Sequence, residues 1–270
     1  MVVLALIHVI EVGCAASPPI FWHGRVPERW SIASPAPLAI PLTDVSDVAN
    51  IRQAQISIEG RPDTLTSAVQ IRLEDADSKT PAQAWLRLAV RPEDRGKPIA
   101  IKFSSDSPPD AGNDRFCLAR VEGDLLHIEE RTGRRVLTYR HGQPEAGKQY
   151  PLTSFIHPLI GLDGETLTAV RPADHIHHRG VYWSWVRHEL NGQSLGDWWQ
   201  PRNIHLEPLG IKPVNGPVYA GFVARFNWVH QSEDTATPKS FMREQVMCRV
   251  FPSTDVGQAI DIDLTLTALI

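Results

Sequence analysis

Residues 258–268 read QAIDIDLTLTA, and this stretch decides the fold. Apolar and polar side chains alternate through it, as they do when successive residues of a half-buried strand point to opposite faces. The same alternation returns earlier in the chain in shorter runs bounded by turn residues, at 54–58, 69–73, 84–90 and 99–103. Short strands at this spacing are typical of antiparallel sheets, so the fold class predicted for the chain is all-β.

The composition of the chain suggests how these strands are divided into domains. We predict a signal or leader segment at 1–19, a proline-rich linker at 20–49, a small Ig-like β-sandwich at 50–104, a polar linker at 105–114 and a larger antiparallel β-sandwich at 115–270. The last strand stops on an apolar pair, and an uncovered strand edge promotes aggregation. We therefore expect the second sandwich to be truncated at its C-terminus.

The first 16 residues and the charge balance bear on location and partners. An apolar run that ends in small residues favours export to the periplasm or the medium, although a misassigned start codon is an alternative. No run approaches the roughly 18 apolar residues that a spanning helix needs, so we expect no integral membrane segment. The net charge is −4 and the chain has no basic block, which argues against a nucleic-acid partner.

Histidines are concentrated in one part of the chain. Six of the 11 lie between His157 and His205, and the densest stretch, 174–180, reads DHIHHRG. Histidine ligates metals and exchanges protons near neutral pH, so this stretch predicts a functional site. The candidate catalytic residues are Asp174, His175, His177, His178 and Arg179.

Three interpretations of the cluster remain open. In an extended segment, His175 and His177 would share one face and could bind a divalent metal, with His157, His205 or Asp197 as a third ligand. Alternatively, a histidine next to Asp174 acts as a metal-free acid or base, and Arg179 holds a carboxylate or stabilises an oxyanion. In the third, the histidines only pack among aromatic side chains.

Tryptophans near the histidines favour a carbohydrate ligand, because indole faces pack on the C–H faces of sugar rings. The tandem Trp198-Trp199 sits in a polar segment, where both rings cannot easily be buried, and we predict Trp198 as the stacking platform. The candidate substrate-binding residues are His157, Trp183, Asn191, Asp197 and Trp198. The chain has no GxGxxG, P-loop, GxSxG or HExxH motif, which weakens the case for dinucleotide, phosphoryl-transfer and common hydrolase chemistry.

The histidine-rich stretch and its surroundings, taken together, resemble a known family. Residues 150–164, the stretch 174–183, Asn191-Gly192 and Asp197-Trp198-Trp199 are similar to the bacterial family catalogued as "methane oxygenase PmoA", much of which is of unknown function. Ile176 stands where the family usually has proline, and the histidines are intact. The resemblance covers roughly Leu125 to the C-terminus. It implies an exported bacterial β-sandwich with a shape similar to galactose mutarotase.

Three functions follow as hypotheses. The first is a protein that binds or modifies a carbohydrate through a site lined by histidine and tryptophan. The second is a metal-dependent, oxygenase-type enzyme with His175 and His177 as ligands. The third is a non-catalytic glycan-binding or structural module.

Overall fold

The structure, a computed structural model, describes residues 21–28, 36–42, 48–72, 82–106, 117–143, 152–231, 238–255 and 257–269. Within these ranges the regular secondary structure is almost entirely antiparallel β-sheet, and the helical residues form two single 3-10 turns, Val48–Asn50 and Pro92–Asp94. Neither turn is long enough to cross a membrane. The predicted all-β fold class is confirmed. The predicted leader and nearly all of the linker at 105–114 lie outside the described residues.

The first compact unit contains the described residues before Cys117 together with Gly216–Tyr219 and Phe251–Ala259. One sheet consists, in order across it, of β1 (Phe21–Arg25), β7 (Pro98–Ser104), β3 (Gln53–Ile58) and β4 (Leu65–Ala68). The other consists of β2 (Ala36–Pro41), β6 (Gln83–Leu88) and β5 (Gln70–Arg72). Side chains from both sheets, among them Ile40, Ile56, Leu86 and Ile101, form one buried core. The unit is therefore a small β-sandwich.

The predicted linker at 20–49 needs correction, because β1 and β2 lie inside it. Its prolines had argued against strands, since proline cannot donate a backbone hydrogen bond to a neighbour. Both strands are the outermost of their sheets, and Pro37 and Pro41 lie on β2. An edge strand has one unpaired side, and proline is tolerated there.

The second compact unit contains Cys117–Asn215, Ala220–Val250 and the described residues from Ile260. One sheet consists, in order, of β11 (Phe155–Leu159), β10 (Arg135–Arg140), β9 (Leu125–Glu130) and β8 (Cys117–Glu122). The other consists of β14 (Ile204–Asn215), β15 (Ala220–His230), β16 (Lys239–Val250) and β17 (Ile260–Ala268). β12 (His188–Leu190) and β13 (Gln193–Gly196) form a separate hairpin.

The core of the second unit is made by both four-stranded sheets. Ile128 and Leu137 from the first sheet and Phe222 and Val246 from the second belong to one buried cluster. This unit is therefore also a β-sandwich. The alternation seen in 258–268 corresponds to β17, which pairs with β16 along its whole length.

The segment that carries the histidine-rich stretch connects β11 to β12. It contains no regular strand and is held by isolated bridges, Ile156 to Val181 and Val170 to Arg179 among them. Gly180 allows this close approach, because a Cβ atom there would overlap the backbone oxygen of Ile156, and its φ of +53° is in the left-handed region.

Candidate functional site

The stretch 172–178 forms two tight turns and is not the extended segment that the metal hypothesis assumed. The N–H of His175 donates to the oxygen of Pro172 at 3.0 Å, and the N–H of His178 donates to the oxygen of His175 at 2.9 Å. The turns remove the strict alternation of sides, so His178 is not on the opposite face from the other two histidines. All three imidazole rings lie together.

The three rings form a compact group. The ring centroids of His175 and His178 are 4.6 Å apart and nearly parallel, at 18°. The His177 and His178 centroids are also 4.6 Å apart, in an edge-to-face arrangement at 84°. His175 is exposed, whereas His177 and His178 are half-buried. A solute can therefore reach this group from solvent.

Trp199 and Tyr182 complete the group, which we call the histidine–aromatic cluster: His175, His177, His178, Tyr182 and Trp199. The indole Nε1–H of Trp199 donates to His177 Nε2 at 2.9 Å. The Trp199 ring also lies 5.4 Å from the His178 ring and 5.6 Å from the Tyr182 ring. Both aromatic rings are half-buried, so part of each faces solvent beside the histidines.

The hydrogen bond from Trp199 determines the state of His177. Its Nε2 accepts this hydrogen bond through its lone pair and carries no hydrogen of its own, so the ring is neutral and its hydrogen is on Nδ1. Burial lowers the pKa of His177, the charges of His178, His175 and Arg179 lower it further, and Asp197 acts in the opposite direction. His177 is therefore an uncharged ring whose Nε2 lone pair is already in use.

Asp174 and His175 form a carboxylate–imidazole pair at the exposed edge of the cluster. His175 Nδ1 is 3.0 Å from Asp174 Oδ2, and the side chains are 51% and 76% exposed. The hydrogen bond from His175 lowers the pKa of Asp174. A carboxylate on Nδ1 orients the ring and leaves Nε2 for proton exchange with a bound molecule.

Arg179 follows His178 directly but has no exposed surface. Its guanidinium packs against two aromatic rings, with Cζ 4.3 Å from the Tyr182 centroid and 4.6 Å from the Trp198 centroid, and Nη2 donates to the Trp198 oxygen at 3.4 Å. Burial lowers the pKa of Arg179 to about 10. The predicted contact of Arg179 with a substrate carboxylate or oxyanion therefore needs correction, because the side chain has no surface that a solute could reach.

The roles of the two adjacent tryptophans are reversed relative to the prediction. Trp198, predicted as the platform, is 1% exposed and packs against Trp228 in the core, with ring centroids 5.8 Å apart. Trp199 has the partly exposed ring. The sequence indicated that both could not be buried, but it contained no signal for which one turns inward. Trp183 is also packed against the core.

The other predicted substrate-binding residues have local structural partners. His157 Nδ1 lies 3.0 Å from Thr168 Oγ1. Asn191 has a φ of +51° and precedes Gly192 in the turn of the β12–β13 hairpin, so an Asn-Gly turn explains it. Asp197 accepts the backbone N–H of Gln200 at 3.0 Å and is near enough to His177 to affect its pKa. Of these three residues, Asp197 is the one whose charge acts on a member of the cluster, His177.

The predicted metal pair gains no support from this arrangement. Among the residues that the structure describes, no three His, Cys, Asp or Glu side chains are placed to hold one metal ion. His177 Nε2 accepts from Trp199, and His175 Nδ1 faces Asp174. His205, considered as a third ligand, is on β14, and its Nε2 lies 3.6 Å from Oε1 of Glu207.

Glu244 is a buried residue that the sequence analysis missed. It has no exposed surface, and its two carboxylate oxygens accept from Ser154 Oγ at 2.7 Å and Trp228 Nε1 at 3.0 Å. Burial raises its pKa, while the hydrogen bonds from Ser154 and Trp228 and the charge of Arg179 act to lower it. A signal was present, because alternation along β16 places Glu244 on the same face as Val246, Cys248 and Val250, which are all buried.

Comparison with models of protein families gives a match for the second half of the chain. The model of a family described as "Family of unknown function (DUF6807)" matches residues 129–269, more than half of the chain. The chain belongs to this family. A search of curated proteins found no significant match. The DUF6807 match begins in β9 and ends just after β17, so it includes the whole histidine–aromatic cluster, Arg179 and Glu244.

The DUF6807 assignment agrees with part of the resemblance drawn from the sequence. Both cover the chain from β9 onward, and both lead to a family of unknown function. The name PmoA and a shape similar to galactose mutarotase stay predictions.

Proposed function

We propose that this DUF6807 protein binds a carbohydrate at the histidine–aromatic cluster and exchanges a proton with it through His175. The observation that carries the proposal is the grouping of three imidazoles within 4.6–6.0 Å of one another, beside a partly exposed tryptophan. Sugar-binding sites combine an aromatic face with several hydrogen-bonding groups in this way.

Each part of the cluster has a place in this function. Trp199 offers the face on which a sugar ring packs, and Tyr182 extends the aromatic surface beside it. His177 holds the Trp199 indole in position through its Nε2. His178 lies between the other two histidines and supplies ring nitrogens within reach of hydroxyl groups. Specificity would come from the placement of these polar groups around the stacked ring.

His175 is the proposed acid–base group. Its Nε2 takes a proton from a sugar hydroxyl or carbon, or returns one to a glycosidic oxygen, while Asp174 fixes the ring orientation through Nδ1. The pair lies at the exposed edge of the cluster, where a sugar seated on Trp199 would meet it. His177 is the poorer base, because Trp199 already occupies its Nε2.

We place the activity outside the cytoplasm of a bacterium, in the periplasm or the medium. The apolar run at the start of the chain favours export, as does the resemblance to exported bacterial proteins. A galactose-mutarotase-like second sandwich would be in keeping with a sugar ligand.

Binding to an array of neutral and acidic glycans, followed by calorimetry on each hit, tests the proposal. We expect saturable binding to at least one glycan and a loss of at least tenfold in affinity in Trp199→Ala. The matched control is His205→Ala, which removes another histidine–carboxylate pair of the same unit and should bind normally. Absence of binding to every glycan, or equal binding in Trp199→Ala, would overturn the proposal.

Turnover separates an enzyme from a binding module. If the bound glycan is converted, His175→Gln should reduce the rate at least 100-fold while changing affinity little, because general acid–base groups contribute roughly 10²–10⁴-fold. Binding without any product would leave the carbohydrate site standing and refute the proton-transfer role of His175.

A further inference from the structure

We propose that the ligand of the histidine–aromatic cluster is an oligosaccharide and that Trp185 is a second stacking platform, which holds a neighbouring ring of the same glycan chain. The inference rests on the proposed function, because it extends the glycan that Trp199 holds. It makes a separate demand, since affinity must rise with the length of the glycan and the added affinity must depend on Trp185.

Trp185 has an exposed side chain, which is unusual for its type. It is 43% exposed, more than any other tryptophan in the described part of the chain, whereas tryptophans in folded proteins are on average highly buried. Removal of apolar surface from water is favourable. A ligand that covers this indole is therefore stabilised by the surface that it buries.

Exposed apolar side chains are concentrated in the segment that carries the cluster. Nine large hydrophobic side chains are exposed among the described residues, and five of them lie between β11 and β12: Leu162, Leu167, Ile176, Trp185 and Val186. Single exposed hydrophobic residues are normal on a protein surface, whereas a concentration of them indicates an interaction surface. The segment therefore offers a ligand more apolar surface than the cluster alone provides.

Backbone hydrogen bonds hold Trp185 directly beside the cluster. The N–H groups of Trp198 and Trp199 both donate to the Trp185 oxygen, each at 3.2 Å. The rings of Trp185 and Trp199 have different neighbours. Trp199 contacts the histidines, whereas the Trp185 ring lies 5.9 Å from Trp228 and 6.4 Å from His188. Trp185 and Trp199 are thus two separate platforms on residues joined by a hydrogen bond, so one short glycan can contact both.

The indole of Trp185 is supported by the core of its unit. Trp228, against which it packs, is fully buried, and Trp228 Nε1 donates to Glu244 Oε2 at 3.0 Å. His188 meets the Trp185 ring edge to face, at 88°. A ring that is already held loses little conformational entropy when a ligand packs on it. Trp185 therefore has the rigidity that a stacking platform needs.

Polar groups that can bind sugar hydroxyls follow Trp185 in the sequence. Arg187 Nε lies 3.7 Å from Glu189 Oε1, and both side chains are exposed. A guanidinium offers several donors and a carboxylate several acceptors, so this pair can bond to hydroxyl groups as well as to itself. An aromatic face with polar groups near it is the composition expected of a sugar subsite.

Calorimetry with the best-bound glycan in lengths from one to four rings tests the inference. In the wild-type protein we expect affinity to rise at least tenfold from one ring to three. In Trp185→Ala the affinity for three rings should fall to the single-ring value, and the single-ring affinity should stay unchanged. Trp199→Ala should lose affinity for every length.

The matched control is Val121→Ala, which should bind every length as the wild type does. Val121 is also 43% exposed, and it is on β8, at the opposite edge of its sheet from β11. A second readout does not require a folded Trp185 variant. In the ¹⁵N spectrum of the wild-type protein, three rings should shift the indole N–H signals of Trp185 and Trp199 together, whereas one ring should shift Trp199 alone.

Several results would overturn the inference and leave the site on Trp199 standing. They are equal affinity for all lengths, a gain with length that survives in Trp185→Ala, an equal loss for one ring and three rings in that variant, and a Trp185 signal that three rings do not move. Absence of binding at every length would instead overturn the proposed function, and this inference with it.

Discussion

At the scale of single residues, adjacent positions have opposite environments. Trp198 is in the core and Trp199 is in the cluster, and exposed or half-buried histidines immediately precede the fully buried Arg179. Tight turns cause this, because a chain that reverses direction every few residues has no fixed alternation of sides. The chemistry of this segment therefore depends on individual backbone conformations.

The two tryptophans should respond differently to truncation. Trp198→Ala removes a large buried side chain and should lower the free energy of unfolding by roughly 3–5 kcal/mol, the usual cost of such a cavity. Trp199→Ala should cost less than half as much, because the ring is only half-buried. Urea denaturation of both variants measures the difference. Equal losses would contradict the assignment of Trp198 to the core.

The indole of Trp199 should control the protonation of His177. A donor on Nε2 favours the neutral ring, so Trp199→Phe, which keeps an aromatic ring and removes the N–H, should raise the pKa of His177. An NMR titration of the imidazole signals measures this. The control Trp85→Phe alters a tryptophan of the first unit and should leave the His177 pKa in place. A pKa that stays constant or falls in Trp199→Phe would disprove the hydrogen bond.

At the scale of elements, the segment between β11 and β12 depends on the close approach of Gly180 to the backbone oxygen of Ile156. A Cβ on Gly180 would overlap the Ile156 oxygen, and Gly180 also has positive φ. Gly164 has positive φ as well, at +86°, but open space around it. The two positions therefore separate the cost of backbone strain from the cost of a steric clash.

Gly180→Ala should be much more destabilising than Gly164→Ala. Strain alone costs on the order of 1 kcal/mol, which is the loss expected at Gly164. At Gly180 the clash adds to it, and we expect a total of about 3 kcal/mol or more, with the bridge between Ile156 and Val181 disturbed. Thermal and urea unfolding of the two variants provide the comparison. If the two variants were equally stable, the segment could move away from the Ile156 oxygen at no cost in free energy, which would contradict this prediction.

Sequence predicted the regular elements better than the connecting segment. The alternating runs at 54–58, 99–103 and 258–268 correspond to β3, β7 and β17, because period-two patterns record directly which face of a strand is buried. The histidine-rich stretch was found through its residue types, but its turns, the inward rotation of Trp198 and the burial of Arg179 depend on contacts with distant residues. Glu244 was accessible in principle, as a carboxylate on an otherwise apolar strand face.

At the scale of the whole molecule, five histidines share one electrostatic property. Burial is the largest cause of a lowered pKa in each of them: His127, His141, His157, His177 and His188. Their ordinary pKa is 6.5, so the unfolded chain binds protons at a higher pH than the folded chain does. Glu244, whose pKa is raised, has the opposite effect on proton binding, because the folded chain protonates it at a higher pH than the unfolded chain does; it is a single group against five histidines.

Stability should therefore fall on acidification. The contribution of these histidines is fully present above pH 6.5 and is lost as the pH falls below that value toward each folded-state pKa. We expect the midpoint of urea unfolding to be lower at pH 5.5 than at pH 7.5. A midpoint that is equal or higher at pH 5.5 would mean that the histidines are not buried in the neutral form.

The claim that the histidine–aromatic cluster is a carbohydrate site is tested most directly by titrating the ¹⁵N-labelled protein with the best-bound glycan. The readout is the set of indole N–H signals from its eight tryptophans. We predict that the Trp199 signal shifts saturably, together with the ring signals of His175, His177 and His178, and that the Trp22 and Trp85 signals of the first unit stay in place. Saturable shifts confined to Trp22 or Trp85, with Trp199 unmoved, would place the ligand elsewhere and contradict the assignment.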